Sequence, residues 1–126
     1  SSNTYKAMRY LIIFICLVSP NLFAQDTVIS VNETSNYIGQ EVTLQGKVDQ
    51  VVQLTSVRGK PTYFNMGGNY PKQKLTLLLW DSDEHKFIKG TQFYESKTIK
   101  VLDTIETYRG KPQIVISEPE QIEVLE

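Results

Sequence analysis

The run of residues 41–52 constrains the fold most, because apolar and polar side chains alternate along almost its whole length. Val42 and Leu44 fall on one side and polar residues on the other, which is the pattern of a half-buried strand. Gly46 falls on the apolar side, where a missing side chain permits a bulge or a sharp coil. The alternation then slips by one residue at 51–52, as a bulge would cause. A strand of this kind is expected to bend and to serve two sheets of a small barrel.

Other segments indicate a mainly β chain with two short helices. Ser30 and Glu33 have the spacing of a capping box, so a short helix is expected to begin there and to stop at Gly39. The acidic run after the third strand starts with Asp81 and Ser82, either of which can cap a second short helix. Further strands are expected, in chain order, at residues 62–66, 74–80, 98–105 and 113–116, with a short closing strand at 122–125.

The first 24 residues are typical of a secretory signal peptide. Basic residues precede an apolar run at 11–18, and Ala24 is small enough to permit cleavage after it. With the start at Met8, residues 1–7 are upstream sequence, and residues 25–126 form one mature domain that we expect to be periplasmic or secreted. An uncleaved membrane anchor is the alternative, but the apolar run is far shorter than the roughly 20 residues that span a bilayer.

Cleavage would leave a chain with an acidic balance and no cysteine. It removes the only cysteine and two of the 13 basic residues but none of the 14 acidic ones, so the formal charge becomes −3. Without a disulfide the domain must be held by its apolar core, which about 100 residues can provide. An acidic total weighs against strong non-specific binding to DNA, unless a local basic face supplies the cations that phosphates need.

Such a local face is indicated between residues 50 and 80, a stretch without aspartate or glutamate. In this stretch four cations stand beside three aromatic residues: Arg58, Lys60, Lys72 and Lys74 beside Tyr63, Phe64 and Tyr70. Single-stranded nucleic acid binds to such mixtures because its phosphates need cations and its bases stack on flat rings. The alternative is a hairpin whose aromatic rings pack inward and whose lysines are only solvated, as most surface lysines are.

The sequence Arg-Gly-Lys-Pro occurs twice, at residues 58–61 and 109–112, and a β-rich run follows each copy. Because nothing else in the two halves matches, this is not a duplication. It predicts two hairpins with the same turn chemistry, in which the glycine supplies a positive φ and the proline precedes the next strand.

Five strands with a helix between the third and the fourth follow the order of an OB-fold. Two segments resemble a family of bacterial OB-fold nucleic-acid-binding domains, found as small exported proteins and beside secreted nucleases: Phe-Asn-Met-Gly-Gly-Asn-Tyr-Pro-Lys-Gln at residues 64–73 and the run at 108–122 that begins Tyr-Arg-Gly-Lys-Pro. The resemblance covers roughly residues 29–125. It implies a five-stranded Greek-key barrel outside the cytoplasm with nucleic acid as its ligand.

OB-fold ligands cross the face of the second and third strands, between the loop that joins strands one and two and the loop that joins strands four and five. The two Arg-Gly-Lys-Pro copies fall in those two loops. We therefore expect a groove on that face, with one copy of the motif on each side of it.

Nothing in the sequence indicates catalysis. His85 is the only histidine, it sits in an acidic run, and no cysteine remains after cleavage to help it hold zinc. The nucleophile and phosphate-loop motifs of common enzyme classes are absent from the sequence. We therefore expect a non-enzymatic binding module that needs no metal or cofactor and does not insert stably into a membrane once the signal is removed.

Three ligand classes remain open. The first is single-stranded DNA or RNA, bound by the cations, rings and amide of Arg58, Lys60, Tyr63, Asn65, Tyr70, Lys72, Lys74, Arg109 and Lys111. The second is a protein partner or assembly of the cell envelope, for which the same face would serve and an acidic charge is no handicap. The third is an oligosaccharide, which the same fold also binds.

Overall fold

The computed structural model describes residues 27–126. The upstream residues and signal peptide predicted within residues 1–24 lie outside the described residues, and the signal stays a prediction. Within residues 27–126, the structure contains no helix with the length and apolar character needed to cross a membrane.

Eight strands and four short helices make up the described part of the chain. The strands are β1 Val28–Ser30, β2 Glu41–Gln53, β3 Thr62–Met66, β4 Leu75–Leu79, β5 Thr98–Thr104, β6 Glu106–Tyr108, β7 Lys111–Ile116 and β8 Ile122–Val124. A single α-helical turn, α1, spans Asp81–Glu84, and 3₁₀ helices span Val31–Asn36, Thr91–Tyr94 and Pro119–Gln121. All the predicted strands are therefore present, close to their expected bounds.

The eight strands form one open sheet in the order β6-β7-β4-β3-β2-β5-β8, with β1 added in parallel beside β2. β3 is antiparallel to β2 and β4, β5 is antiparallel to β2, and β7 is parallel to β4. This connectivity is OB-fold-like, but the sheet is open and has eight strands instead of forming the expected five-stranded barrel. The chain adds β6 as a hairpin partner of β7 and β8 as a partner of β5, so these two strands extend the sheet to two separate edges.

β2 belongs to both halves of the sheet. Its first part, as far as Lys47, pairs with β5, and the remainder pairs with β3. The register shifts between Val48 and Gln50, which confirms the bulge predicted from the slipped alternation. Gly46 has a different role from the expected one, because a Cβ built there would clash with Val31 Cγ2. Its missing side chain makes room for the first 3₁₀ helix to pack against the sheet.

The predicted capping box begins that helix, Val31–Asn36. The Glu33 carboxylate accepts a hydrogen bond from the Ser30 N–H at 3.0 Å, and this bond lowers the pKa of Glu33. Gly39 follows the helix with a φ of +83°, as expected of a residue that ends a helix. Since Val31 is buried in the core, the helix covers one end of it.

One apolar core lies on the inner side of the sheet. Phe64, Leu77 and Ile99 are among its fully buried residues. Tyr94, from the 3₁₀ helix Thr91–Tyr94, stacks on Phe64 with ring centroids 5.5 Å apart, and burial raises the pKa of its hydroxyl. The connection between β4 and β5 thus contributes directly to the core.

The helix after β4 is short, as predicted, but its cap differs from the predicted one. α1 has four residues, and its N-cap is Trp80, which makes no side-chain capping bond, so the prediction of Asp81 or Ser82 as the cap is wrong. Phe87, the first apolar residue after the acidic run, enters the core, whereas the next one, Ile88, is exposed. Lys86 forms salt bridges with Asp83 at 2.9 Å and with Glu118 at 2.7 Å. The second of these joins the segment between β4 and β5 to the segment between β7 and β8.

Candidate nucleic-acid interface

The surface of interest is the side of β2, β3, β4 and β7 that faces away from the core, which we call the outer face. Two rows of side chains cross it, with one residue from each strand, aligned by the sheet register. The polar row consists of Gln50, Asn65, Thr76 and Gln113. The apolar row consists of Val52, Tyr63, Leu78 and Val115. Their neighbours along β3 and β4 point into the core, as the alternation of a strand requires.

Hydrogen bonds hold the polar row together. Asn65 Nδ2 donates to Gln50 Oε1 at 3.0 Å, and Thr76 Oγ1 donates to Asn65 Oδ1 at 3.0 Å. Asn65 is only 1% exposed. Both ends of its amide are occupied within the protein, so this predicted ligand residue positions its neighbours and is not itself presented at the surface.

The 67–74 loop, which joins β3 to β4, folds back over the polar row. The Gly68 N–H donates to the Asp49 carboxylate at 2.8 Å, and the Tyr70 N–H donates to Gln50 Oε1 at 3.0 Å. Gly68 has a φ of +127°, and a Cβ there would lie 2.9 Å from a backbone carbonyl oxygen of the same loop, so the position requires glycine. Tyr70 remains 69% exposed. The loop therefore presents an aromatic side chain to solvent beside the covered polar row.

One end of the outer face, where β4 and β7 begin, carries four of the predicted cations, which we call the basic patch: Lys72, Lys74, Arg109 and Lys111. Lys111 Nζ donates to the Pro71 carbonyl oxygen at 2.6 Å. This bond ties the β6–β7 turn to the 67–74 loop. Arg109 lies beside the exposed Tyr108 ring, with its Cζ 5.3 Å from the ring centroid.

Ion pairs do not neutralise the basic patch. Among residues 27–126, both salt bridges belong to Lys86, in the connection between β4 and β5. Lys74 does make a hydrogen bond, from its Nζ to Asn32 Oδ1 at 2.7 Å, whereas Lys72 is exposed on the 67–74 loop. A phosphate backbone can therefore approach these cations without displacing carboxylate partners.

The other two predicted cations, Arg58 and Lys60, lie at the opposite end of the outer face. The Gly59 carbonyl oxygen accepts a hydrogen bond from the Asp81 N–H at 3.2 Å, just beyond the end of β4. β7 runs parallel to β4, so the turn that precedes β7 lies at the end of the outer face where β4 begins. Arg58 and Lys60 lie at the other end, where β4 finishes. The structure thus does not gather the nine predicted residues into one cluster. It separates two groups of cations and places Tyr63 between them.

The two Arg-Gly-Lys-Pro copies do not share one turn geometry. Arg109 and Gly110 have φ values of +53° and +79°, and β6 and β7 pair directly around them, as in a two-residue hairpin. In the first copy the positive φ values, +84° and +42°, fall on Gly59 and Lys60. The positive φ of each glycine is confirmed, and Pro61 precedes β3 as expected. Pro112 instead lies inside β7, so the prediction of a common turn chemistry fails for the proline of the second copy. The first loop is also longer and wraps against the Trp80 ring.

The Arg58 end also carries carboxylates. Glu84 accepts a hydrogen bond from Gln53 Nε2 at 2.8 Å. Partial burial raises the pKa of Glu84, and the neighbouring charge of Asp81 adds to this effect. The charge at this end is therefore mixed, unlike that of the basic patch. In the part of the chain that the structure describes, no cluster of histidine, cysteine and carboxylate side chains could hold a metal ion.

Two exposed aromatic residues of this surface are missing from the predicted set. Trp80 is 41% exposed and follows the outward positions of Thr76 and Leu78, and Tyr108 is 55% exposed beside the basic patch. Trp80 could have been placed on the outer face by extending the alternation of β4 by one residue. Tyr108 could have been placed from the second Arg-Gly-Lys-Pro copy. In a two-residue hairpin the residues on either side of the turn pair directly, and here they are Tyr108 and Lys111.

Comparison with known proteins shows a likeness of fold. No family model and no curated protein matches the sequence. An aspartyl-tRNA synthetase from Entamoeba histolytica is 12% identical, with a TM-score of 0.53 over 84% of this chain and 22% of that enzyme. A chain assigned as an aspartyl-tRNA synthetase from Leishmania major Friedlin is 12% identical, with a TM-score of 0.52 over 82% of this chain and 21% of its own length. This chain spans about a fifth of those enzymes. The resemblance to an exported bacterial family stays a prediction.

Proposed function

We propose that this protein is a non-enzymatic module that binds single-stranded nucleic acid across its outer face. The observation that carries the proposal is the half-buried ring of Tyr63, which lies in an apolar row between two groups of cations. A flat ring stacks on any base, for about 1–3 kcal/mol per base, while cations along the same surface contact the backbone phosphates.

The position of each predicted residue suggests its role. Tyr63 and Tyr70 supply rings for stacking. Phosphates are contacted by cations at the two ends of the face: Lys72, Lys74, Arg109 and Lys111 at one end, Arg58 and Lys60 at the other. Asn65 acts indirectly, because it holds the amide of Gln50 that in turn receives the Tyr70 N–H.

The likeness of fold supports the same class of ligand. The two solved structures are synthetases of aspartyl-tRNA, enzymes that act on an RNA. This chain covers only about a fifth of each of them. We therefore propose the same class of ligand for this protein but not the same reaction. OB-folds also bind oligosaccharides, but the unpaired cations favour a phosphate-bearing ligand.

A salt titration of oligonucleotide binding tests the proposal. We expect a fluorescent single-stranded oligonucleotide to bind at about 50 mM salt and to weaken as salt rises, with a slope of roughly −0.7 per phosphate contacted. Four to six accessible cations predict a slope of about −3 to −4 in a plot of log K against log salt. A duplex of the same sequence is the control and should bind more weakly, since its paired bases cannot stack on Tyr63.

Absence of binding at low salt would contradict the proposal. That result would favour the other two ligand classes, an envelope protein or an oligosaccharide. Pull-downs from envelope extract and a glycan panel would then separate them.

We also propose that the module acts outside the cytoplasm. The support is the sequence alone, in which basic residues, the apolar run at 11–18 and Ala24 have the pattern of a secretory signal. N-terminal sequencing of the protein recovered from a bacterial host should find Gln25 as the first residue. Recovery of an uncleaved chain from the cytoplasm would contradict export.

A further inference from the structure

A shallow notch of about 380 Å³ opens at the end of the outer face, where the chain passes from β4 to α1. It is lined by Gly59, Lys60, Trp80, Asp81 and Ser82. The Trp80 ring packs on the Gly59 backbone, because a Cβ added to Gly59 would lie 2.9 Å from Cε3 and Cζ3 of the indole. Trp80 nevertheless stays 41% exposed. The indole is thus supported by backbone on one side and remains accessible for stacking.

Groups of opposite charge flank this ring. Lys60 and Asp81 both line the notch, and neither takes part in a salt bridge among the residues that the structure describes. Hydrogen bonds fix their backbones: the Lys60 N–H donates to the Val57 carbonyl oxygen at 2.9 Å, and the Asp81 N–H donates to that of Gly59 at 3.2 Å. The notch therefore offers a cationic donor and a carboxylate acceptor next to one stacking surface.

Guanine is the base whose hydrogen-bonding edge matches these two charges. Its O6 is an acceptor that lysine commonly contacts. The adjacent N1–H and N2–H groups both donate, and one carboxylate can accept from both. Adenine and cytosine place an acceptor nitrogen next to the amino group, and uracil and thymine flank one N–H with two carbonyl oxygens. Each of these bases would therefore set an acceptor against the carboxylate.

We propose that the notch is a guanine subsite, in which the base stacks on Trp80, Asp81 accepts from N1–H and N2–H, and Lys60 donates to O6. This subsite rests on the proposed function and deepens it, because it gives one position of the bound strand a base preference. Trp80 lies two residues beyond Leu78, about 7 Å along the strand direction. Leu78 is the cross-strand partner of Tyr63, so a single strand that follows β4 can place one base on each ring.

Trp80 is the only tryptophan in the chain, so its fluorescence reports directly on the notch. We expect GMP to quench this fluorescence, after correction for absorbance, with an affinity about 10-fold higher than that of IMP, which lacks the 2-amino donor. AMP should bind more weakly than IMP, because its amino group faces the Lys60 donor and its N1 acceptor faces Asp81, whereas IMP keeps O6 and N1–H. Equal affinities for the three nucleotides would overturn the subsite.

A pair of variants tests the role of the carboxylate. Asp81→Asn should abolish the preference for GMP over IMP while stacking on Trp80 remains. Glu106→Gln makes the same change of charge at an exposed residue of β6 and should keep the preference. A preference that survives in Asp81→Asn would overturn the proposal.

The oligonucleotide titration separates failure of the subsite from failure of the proposed function. If oligonucleotides bind but guanine is not preferred, the subsite is refuted and the outer face still binds nucleic acid. If GMP is preferred but no oligonucleotide binds at low salt, the subsite stands and the proposed function fails.

Discussion

Replacing Phe64 by alanine should lower the free energy of unfolding by about 3–5 kcal/mol, the range for a buried aromatic residue. Phe64 is fully buried and stacks on Tyr94 with ring centroids 5.5 Å apart, so truncation leaves a cavity inside the core. A domain of this size has a total stability of about 5–15 kcal/mol. The change therefore removes a large part of it, and urea unfolding followed by circular dichroism measures the loss.

Tyr63→Ala is the matched control for this prediction, because the neighbouring residue points to the outer face and is only half-buried. We expect it to lose about half as much stability or less, since less area is returned to water. Phe64→Leu keeps most of the volume and gives a measurable, smaller loss if the alanine variant does not fold. Equal losses for the Tyr63 and Phe64 alanine variants would contradict the assignment of the two faces.

Reversing the charges of Lys72 and Arg109 together should weaken oligonucleotide binding by about 100-fold or more at low salt. Both side chains are exposed in the basic patch, and neither takes part in a salt bridge within residues 27–126. Each change to glutamate would remove a proposed phosphate contact and add a charge that repels the backbone. Fluorescence anisotropy measures the affinity, and thermal unfolding should show that the variant folds like the parent.

The control for this pair has the same net charge but alters a different surface. Lys47→Glu with Lys89→Glu changes one exposed lysine on the part of β2 that pairs with β5 and another in the connection to β5. We expect less than about a threefold effect on affinity, because salt screens charges that lie far from the ligand. An equal loss in the two double variants would mean that binding depends on net charge and not on the outer face.

The strand positions could be predicted because alternation is a local property of sequence. In β2 the inward residues Val42 and Leu44, with the slip at 51–52, were enough to place the strand and its bulge. β6 could not be found in this way, because all three of its residues are exposed and it has no apolar register. β1 has a single buried residue, Ile29. Such short strands form where an existing sheet edge offers hydrogen bonds, which only the tertiary structure determines.

The residue types of the candidate site could be predicted, but their arrangement could not. Alternation places Asn65 on the outer face, yet the 67–74 loop returns over it and leaves it buried. The bond from Lys111 to Pro71 joins residues 40 positions apart. Asp49, just before the stretch without acidic residues, accepts a hydrogen bond from that loop because it sits at the bulge. Each of these contacts depends on long-range folding.

The division of β2 between two sets of partners also bears on how such a molecule can evolve. The loop between β2 and β3 and the 67–74 loop belong to the half of the sheet that pairs with β3, whereas β5 pairs with the other half of β2. Insertions and substitutions in those loops leave the pairing of β2 with β5 unchanged. Changes at the exposed positions of these loops, such as Lys72, can therefore alter ligand preference without touching the hydrogen bonds that join β2 to β5.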